Sequence, residues 1–306
     1  MFVVFNHALP LYIKKDILYN LWGGLGVPIF LLLQSFHYYK RGLGNSKPFN
    51  FMGFFKKMFL PFLIAELLIV IIRGLLEGDI LGFARSVLLS CGTGPGDHYI
   101  WIFLQFVVLL PICAQIFMRV KGVFLPILMV LISVALEILC SYWHIADRPY
   151  NFLFFRYFFL IYLGYIWASE GIVLTRFRLF LSIVSIVCII LFDYTEIDFS
   201  PIIFKTTRRT NHWICYFYVA FMFPFLLRWI NDHIWARLRK MIMFCGKMSW
   251  LIFCSQIVVF SFWSPSVFTF TENVLIRNLL YLFSAILMSI IPSILISLCK
   301  KKLMKG

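Results

Sequence analysis

Nine runs of helical length, apolar almost from end to end, dominate this chain, and they leave it few folds to choose from. They cover approximately 20–39, 58–76, 99–118, 122–143, 152–169, 178–194, 213–230, 248–264 and 278–299. A hydrocarbon core of ~30 Å is crossed by a helix of ~20 residues. In lipid the backbone must satisfy its own hydrogen bonds, so only helices and closed barrels cross, and these runs are too long for barrel strands. The expected fold class is therefore all-α, a polytopic integral membrane helix bundle. Composition agrees: 62% of the residues are hydrophobic and 13% charged, against roughly 45–50% and about 25% in soluble domains.

The opening stretch "MFVVFNHALPLYIKK" is apolar enough for lipid but too short to cross it. It reads as the outer end of a first helix entered partway along. The expectation is nine full spans plus a truncated first helix, in a single transmembrane domain over 1–306. Pro28, Pro61, Pro111, Pro126, Pro224 and Pro292 fall within or near spans, where neighbouring helices can satisfy the freed carbonyls.

A formal charge of +15 raises the question of nucleic acid, and its placement argues against it. The basic residues form short clusters between apolar runs, with no basic helix and no zinc or RNA-binding signature. With the N-terminus inside, the cytoplasmic loops hold 18 of the 28 Lys and Arg residues, among them Lys40, Arg41, Lys56, Lys57, Arg237, Arg239 and Lys300. That is the positive-inside pattern, and it suits anionic lipid headgroups as well. The acidic stretch "DYTEIDF" falls outside. No Cys-x-x-Cys pair occurs among eight cysteines, most of them within apolar runs. They read as small buried hydrophobes, with neither a disulfide framework nor a metal site. No cleavable signal peptide, internal repeat or pair of broken helices is visible.

Ionisable groups at membrane depth are costly and face a cavity or a partner. Four places stand out: Asn6-His7; the stretch "GTGPGDHYIWIFLQF" with Asp97, His98, Trp101 and Gln105; Glu137, one turn from the outer end of its span; and Arg156 in "NFLFFRYFFLIYLGY". Each also has a plain structural reading. His98 and Trp101 suit the interfacial belt. Arg156 lies close enough to a helix end to snorkel. Glu137 and Arg156 would serve as a pair between adjacent helices. Glu66, deeper in its span, is harder to explain away.

The order of these features resembles the membrane acyltransferase 3 family, and the resemblance runs along nearly the whole chain. "VVFNHA" resembles its first-helix histidine context, "VPIFLLLQSFHYYKRG" its second helix, and "FFKKMFLPFLIAE" its basic pair before a proline-containing helix. "GPGDHYIWIFLQFVVLLP", "FRYFFLIYLGYIWA" and "CGKMSWLIFCSQIVV" follow in the family's order. Here no arginine precedes His7, and Gln256 stands where the family has a histidine.

What the resemblance implies is an O-acyltransferase in a bacterial plasma (inner) membrane. It would move an acyl group, most simply acetyl, from cytoplasmic acyl-CoA to a hydroxyl of an extracytoplasmic glycan or lipid-linked sugar. His7 would be the general base or a transient acyl carrier, because an alcohol is almost wholly protonated at neutral pH. Arg156 would stabilise the oxyanion or hold substrate, and Glu137 would orient a histidine. His98, Trp101 and Gln105 would line the outer mouth. Lys40, Arg41, Lys56 and Lys57 would meet the CoA phosphates, although topology alone also explains them. Acetyl-CoA is then a co-substrate, and the partners are membrane lipid and the glycan acceptor. No metal and no nucleic acid is expected. Alternatives are a glycan-lipid transporter or flippase, a polymerase, and an inactive, N-terminally truncated acyltransferase.

Overall fold

The computed structural model describes residues 4, 7–9, 14, 18–42, 51–94, 96–120, 122–195, 199–204, 210–264, 268 and 273–303. Among them only helices and connecting turns occur. In chain order the main helices are α1 (Gly26–Gly42), α2 (Leu60–Glu77), α3 (Ile80–Leu89), α4 (His98–Arg119), α5 (Phe124–Tyr142), α6 (Asp147–Phe152), α7 (Phe159–Glu170), α8 (Arg176–Tyr194), α9 (Phe223–His233), α10 (Ala236–Lys247), α11 (Ser249–Phe262) and α12 (Val274–Leu303). Single π-helical turns, Phe55–Phe59 and Tyr218–Met222, lead into α2 and α9.

Seven helical stretches among the described residues are long and apolar enough to cross a membrane: Met52–Glu77, His98–Arg119, Phe124–Tyr142, Asp147–Glu170, Arg176–Tyr194, Trp213–His233 and Ile276–Ile296. The run expected at 248–264 is one arm of a bent pair, with α10 and α11 meeting at 74°. The run expected at 20–39 forms α1, with 17 residues, at the short end of what crosses. The protein is a multi-pass membrane helix bundle, and its surface shows why. On α8 the apolar Phe177, Phe180, Ile183, Val187 and Leu191 are exposed, while Ser182 and Ser185 are buried. A face like that is adapted to lipid rather than to water.

Two compact units make up the chain. One comprises 1–17, 49–100 and 234–306; the other comprises 18–48 and 101–233.

In the first unit, α2 packs on α11, and α11 on α12. Val4 and Ala8, one turn apart, are both buried; Ala8 lies with Tyr281 and Ala285 of α12. Ala8 is thus packed against α12. The π turn before α2 frees the Met58 carbonyl, which accepts from Trp250 Nε1 at 3.0 Å. A π turn leaves a carbonyl without its usual partner, and here a side chain from another helix supplies one.

In the second unit, α1 and α7 run in close contact. Gly164 makes this possible: a Cβ there would overlap the side chain and backbone of Ser35. Small residues at such crossings are how membrane helices gain packing without a hydrophobic drive. Trp167 Nε1 donates to the Ala220 carbonyl at 2.8 Å, in the second π turn.

The span Asp147–Glu170 is broken. After α6 the chain turns extended at Leu153 (φ −87, ψ 143), makes a 3₁₀ turn at Phe155–Tyr157 and resumes as α7. Among the described residues, a second interruption is the 74° bend at Met248, in the first unit. This corrects the reading of the sequence as free of broken helices. Leu153 and Phe154, where the chain departs from helix, carry no breaker signal of the Gly or Pro kind.

Candidate functional site

The break in the second unit lies among buried polar side chains. Backbone groups freed at membrane depth need partners, and one side chain provides them. Gln105 Nε2 donates to the Phe152 carbonyl at 2.6 Å, and Gln105 Oε1 accepts from the Phe154 amide at 3.1 Å. The same Nε2 also reaches the Trp101 carbonyl at 3.2 Å. Gln105, expected at a substrate mouth, is here the clamp that holds the break open.

Just past the clamp sits Arg156, 2% exposed. It does not snorkel. Its guanidinium lies 4.6 Å from the Tyr157 ring centroid and 5.7 Å from that of Tyr150. Nη1 makes a long hydrogen bond to Asn151 Oδ1, at 3.4 Å. Nε and Nη2 are buried with no hydrogen-bond partner. Tyr216, stacked on Tyr157 at 6.3 Å, likewise has a buried hydroxyl without a partner. Unsatisfied buried donors are rare and costly, so several near one guanidinium make this the candidate site.

Glu137 is buried near the outer end of α5. The Tyr150 hydroxyl donates to its Oε2 at 2.9 Å, and the Phe204 amide donates to the same oxygen at 3.2 Å. Its Oε1 lies 3.4 Å from His212 Nδ1. His212 is fully buried, and its Nε2 has no partner. Nδ1 likewise makes no hydrogen bond, so Glu137 stands beside the imidazole at 3.4 Å without being bonded to it; a carboxylate on that side is the one that orients an imidazole for proton transfer. Glu137 is expected to orient a histidine; the histidine beside it is His212, which the sequence reading did not single out. Its one signal was position: an imidazole in "TNHWICYF" at the start of an aromatic span.

The remaining expected residues fall as follows. His7 is partly buried in the first unit, its ring 5.7 Å from Phe260 of α11. Asn6 lies outside the described residues. His98 begins α4 in the first unit, with Nδ1 3.6 Å from Asp97 Oδ1, while Asp97 Oδ1 accepts from the His98 amide at 2.7 Å. Trp101 and Gln105 belong to the second unit. Glu137 and Arg156 come together around Tyr150.

Lys40 and Arg41 are exposed at the C-terminal end of α1, where cations suit the helix dipole. Lys40 Nζ stands 5.2 Å over the Phe36 ring. Lys56 and Lys57 are exposed on the π turn before α2. Among the described residues no three His, Cys, Asp or Glu side chains converge as a metal site.

No family model matches this chain, and neither a curated protein nor a solved structure matches it.

Proposed function

We propose that this protein is a membrane O-acyltransferase of a bacterial inner membrane, moving an acyl group, most simply acetyl, from cytoplasmic acyl-CoA to a hydroxyl of an extracytoplasmic glycan or lipid-linked sugar. The observation that carries this reading is the Arg156 guanidinium, buried at a helix break with two N–H groups open, in the unit that also holds the Glu137–His212 pair. Acyl transfer to an alcohol needs a base for the hydroxyl proton and donors for the oxygen that becomes negative. The ordered sequence resemblance supports the same chemistry.

The reaction balances simply. The acceptor oxygen attacks the thioester carbonyl, its proton passes to an imidazole, and the negative carbonyl oxygen rests on the Arg156 N–H donors. Collapse of this intermediate re-forms the carbonyl as an ester and breaks the C–S bond; the imidazolium gives its proton to the departing thiolate, so that CoA leaves as the thiol. The resemblance gives the imidazole role to His7, as base or as transient acyl carrier. His212 is the second candidate imidazole, supported by the Glu137 carboxylate 3.4 Å from its Nδ1. Lys40, Arg41, Lys56 and Lys57 are the residues for the CoA phosphates.

Transfer of radiolabelled acetyl from acetyl-CoA by the purified protein in lipid, with His7→Ala and His212→Ala in parallel, tests the reading and assigns the base. The variant that loses transfer while melting like the wild type identifies it. No transfer by the wild type overturns the reading.

A transporter or flippase for a glycan-linked lipid is the second reading, favoured by the two interrupted helices. Discontinuous helices that present backbone and charge at membrane depth are how many transporters bind their substrates. It predicts movement of a labelled glycolipid across vesicles without acyl-CoA.

A further inference from the structure

One helix of the first unit buries none of its residues. α10 carries four basic residues in twelve, Arg237, Arg239, Lys240 and Lys247, and no acidic one. Four cations keep it out of a hydrocarbon core, where each is costly. Its apolar residues are nonetheless ordered: Leu238, Met241, Ile242 and Cys245 recur at the i, i+3, i+4 and i+7 positions of one helical face. Leu238, Met241 and Ile242 are exposed. Lys240 and Lys247 line the opposite face, with Arg237 at its edge. Trp235, which precedes the helix, is 84% exposed. The reading of the sequence as lacking a basic helix is corrected here.

The same unit fixes where this helix lies. Trp250 Nε1 donates to the Met58 carbonyl at 3.0 Å. That bond sets the first turn of α11 beside the π turn near the start of the span Met52–Glu77. Lys56 and Lys57 of that turn are exposed. At this level, the end of a span, α10 departs from α11 at 74°. A charged helix that meets an apolar one at so wide an angle, at the edge of the apolar zone, runs along the bilayer surface instead of through it.

We infer that α10 is an in-plane interfacial helix that binds anionic phospholipid, with Leu238, Met241 and Ile242 in the acyl boundary and Arg237, Lys240 and Lys247 on the headgroup phosphates. The two faces together select a lipid over a soluble phosphate. A soluble anion would engage the cations and leave the apolar stripe in water. A leaflet covers both at once. Trp235 at the start of the helix suits headgroup depth. Charge then selects among lipids: α10 has no acid to offset its four cations, and a zwitterionic headgroup brings an ammonium that they repel. The inference requires no acyl transfer, and it stands whether Lys56 and Lys57 meet CoA or lipid.

The test places the full chain in nanodiscs that contain a phospholipid with a diazirine high in one acyl chain, supplied as phosphatidylglycerol or as phosphatidylcholine. Adducts are located by tandem mass spectrometry after illumination. Leu238, Met241 and Ile242 should take the label, and phosphatidylglycerol should label them ~5-fold more than phosphatidylcholine, the ratio that one basic residue near an anionic surface supplies. The triple variant Arg237→Gln, Lys240→Gln, Lys247→Gln should lose this preference, and high salt should shrink it in the wild type. Excess soluble CoA should leave the labelling unchanged. A stripe that takes no label from either lipid overturns the inference. So does equal labelling by the two lipids, a triple variant that keeps the preference, or loss of label to CoA. If the variant fails to fold, the wild type decides alone, since a preference that salt does not reduce also overturns the inference.

Discussion

Glu137 and Glu66 are both carboxylates buried within apolar helices, and they are held in opposite ways. Glu137 is surrounded: the Tyr150 hydroxyl, the Phe204 amide and the His212 imidazole all face it. Glu66 is half-met, with one amide on one oxygen and nothing on the other. A carboxylate with its full set of partners is a fixed post that orients what it touches. One with an open oxygen leaves part of its desolvation cost unreturned. Buried polar groups are thus better judged by their partners than by their depth.

The largest effect expected from this contrast is in stability. Glu137→Ala strands His212, the Tyr150 hydroxyl and the Phe204 amide together, and should cost ~3–5 kcal/mol by denaturant melting in micelles. Equal losses for Glu137→Ala and Glu66→Ala would erase the contrast. Next is activity at the break. Arg156→Lys keeps a cation but loses the planar fork, and should lower acyl transfer ~10²-fold or more with little change in melting. Gln105→Leu follows. It leaves the Phe152 carbonyl and the Phe154 amide unpaired and should cost about 1–3 kcal/mol. If Gln105 serves only at a substrate mouth, that substitution raises KM and leaves stability alone.

Smaller still is Glu66→Gln, expected within about 1 kcal/mol of wild type because only one hydrogen bond is altered. Smallest is the pair Lys56→Ala and Lys57→Ala. These exposed residues should raise KM for acyl-CoA a few-fold at low salt, with kcat unchanged and the difference fading at high salt.

The spans were legible because lipid imposes a single requirement, continuous apolar length, and the sequence states it directly. Seven of the expected runs coincide with helices long enough to cross. The interruptions were not legible. Nothing in "NFLFFRYFF" announces a break, since the groups that stabilise it come from Gln105 on another helix. The same reason hid His212: its partner Glu137 lies far away in the sequence, and only the fold brings Nδ1 to Oε1. Arg156 and Glu137 were legible as charges out of place, but snorkelling was as reasonable for Arg156 until the break buried it. Glu66 could be seen as unexplained. Its hydrogen bond from the Thr93 amide could not, because contacts between distant segments leave no local periodic trace.

The most direct test of the acyl-transfer account uses sealed vesicles carrying the wild-type protein, with radiolabelled acetyl-CoA on the cytoplasmic side and a hydroxyl-bearing glycan on the other. The account predicts label appearing on the glycan as an alkali-labile ester, and its loss in Arg156→Ala protein that still melts as a folded bundle. Wild-type protein, folded and correctly oriented, that leaves all label on CoA would contradict it.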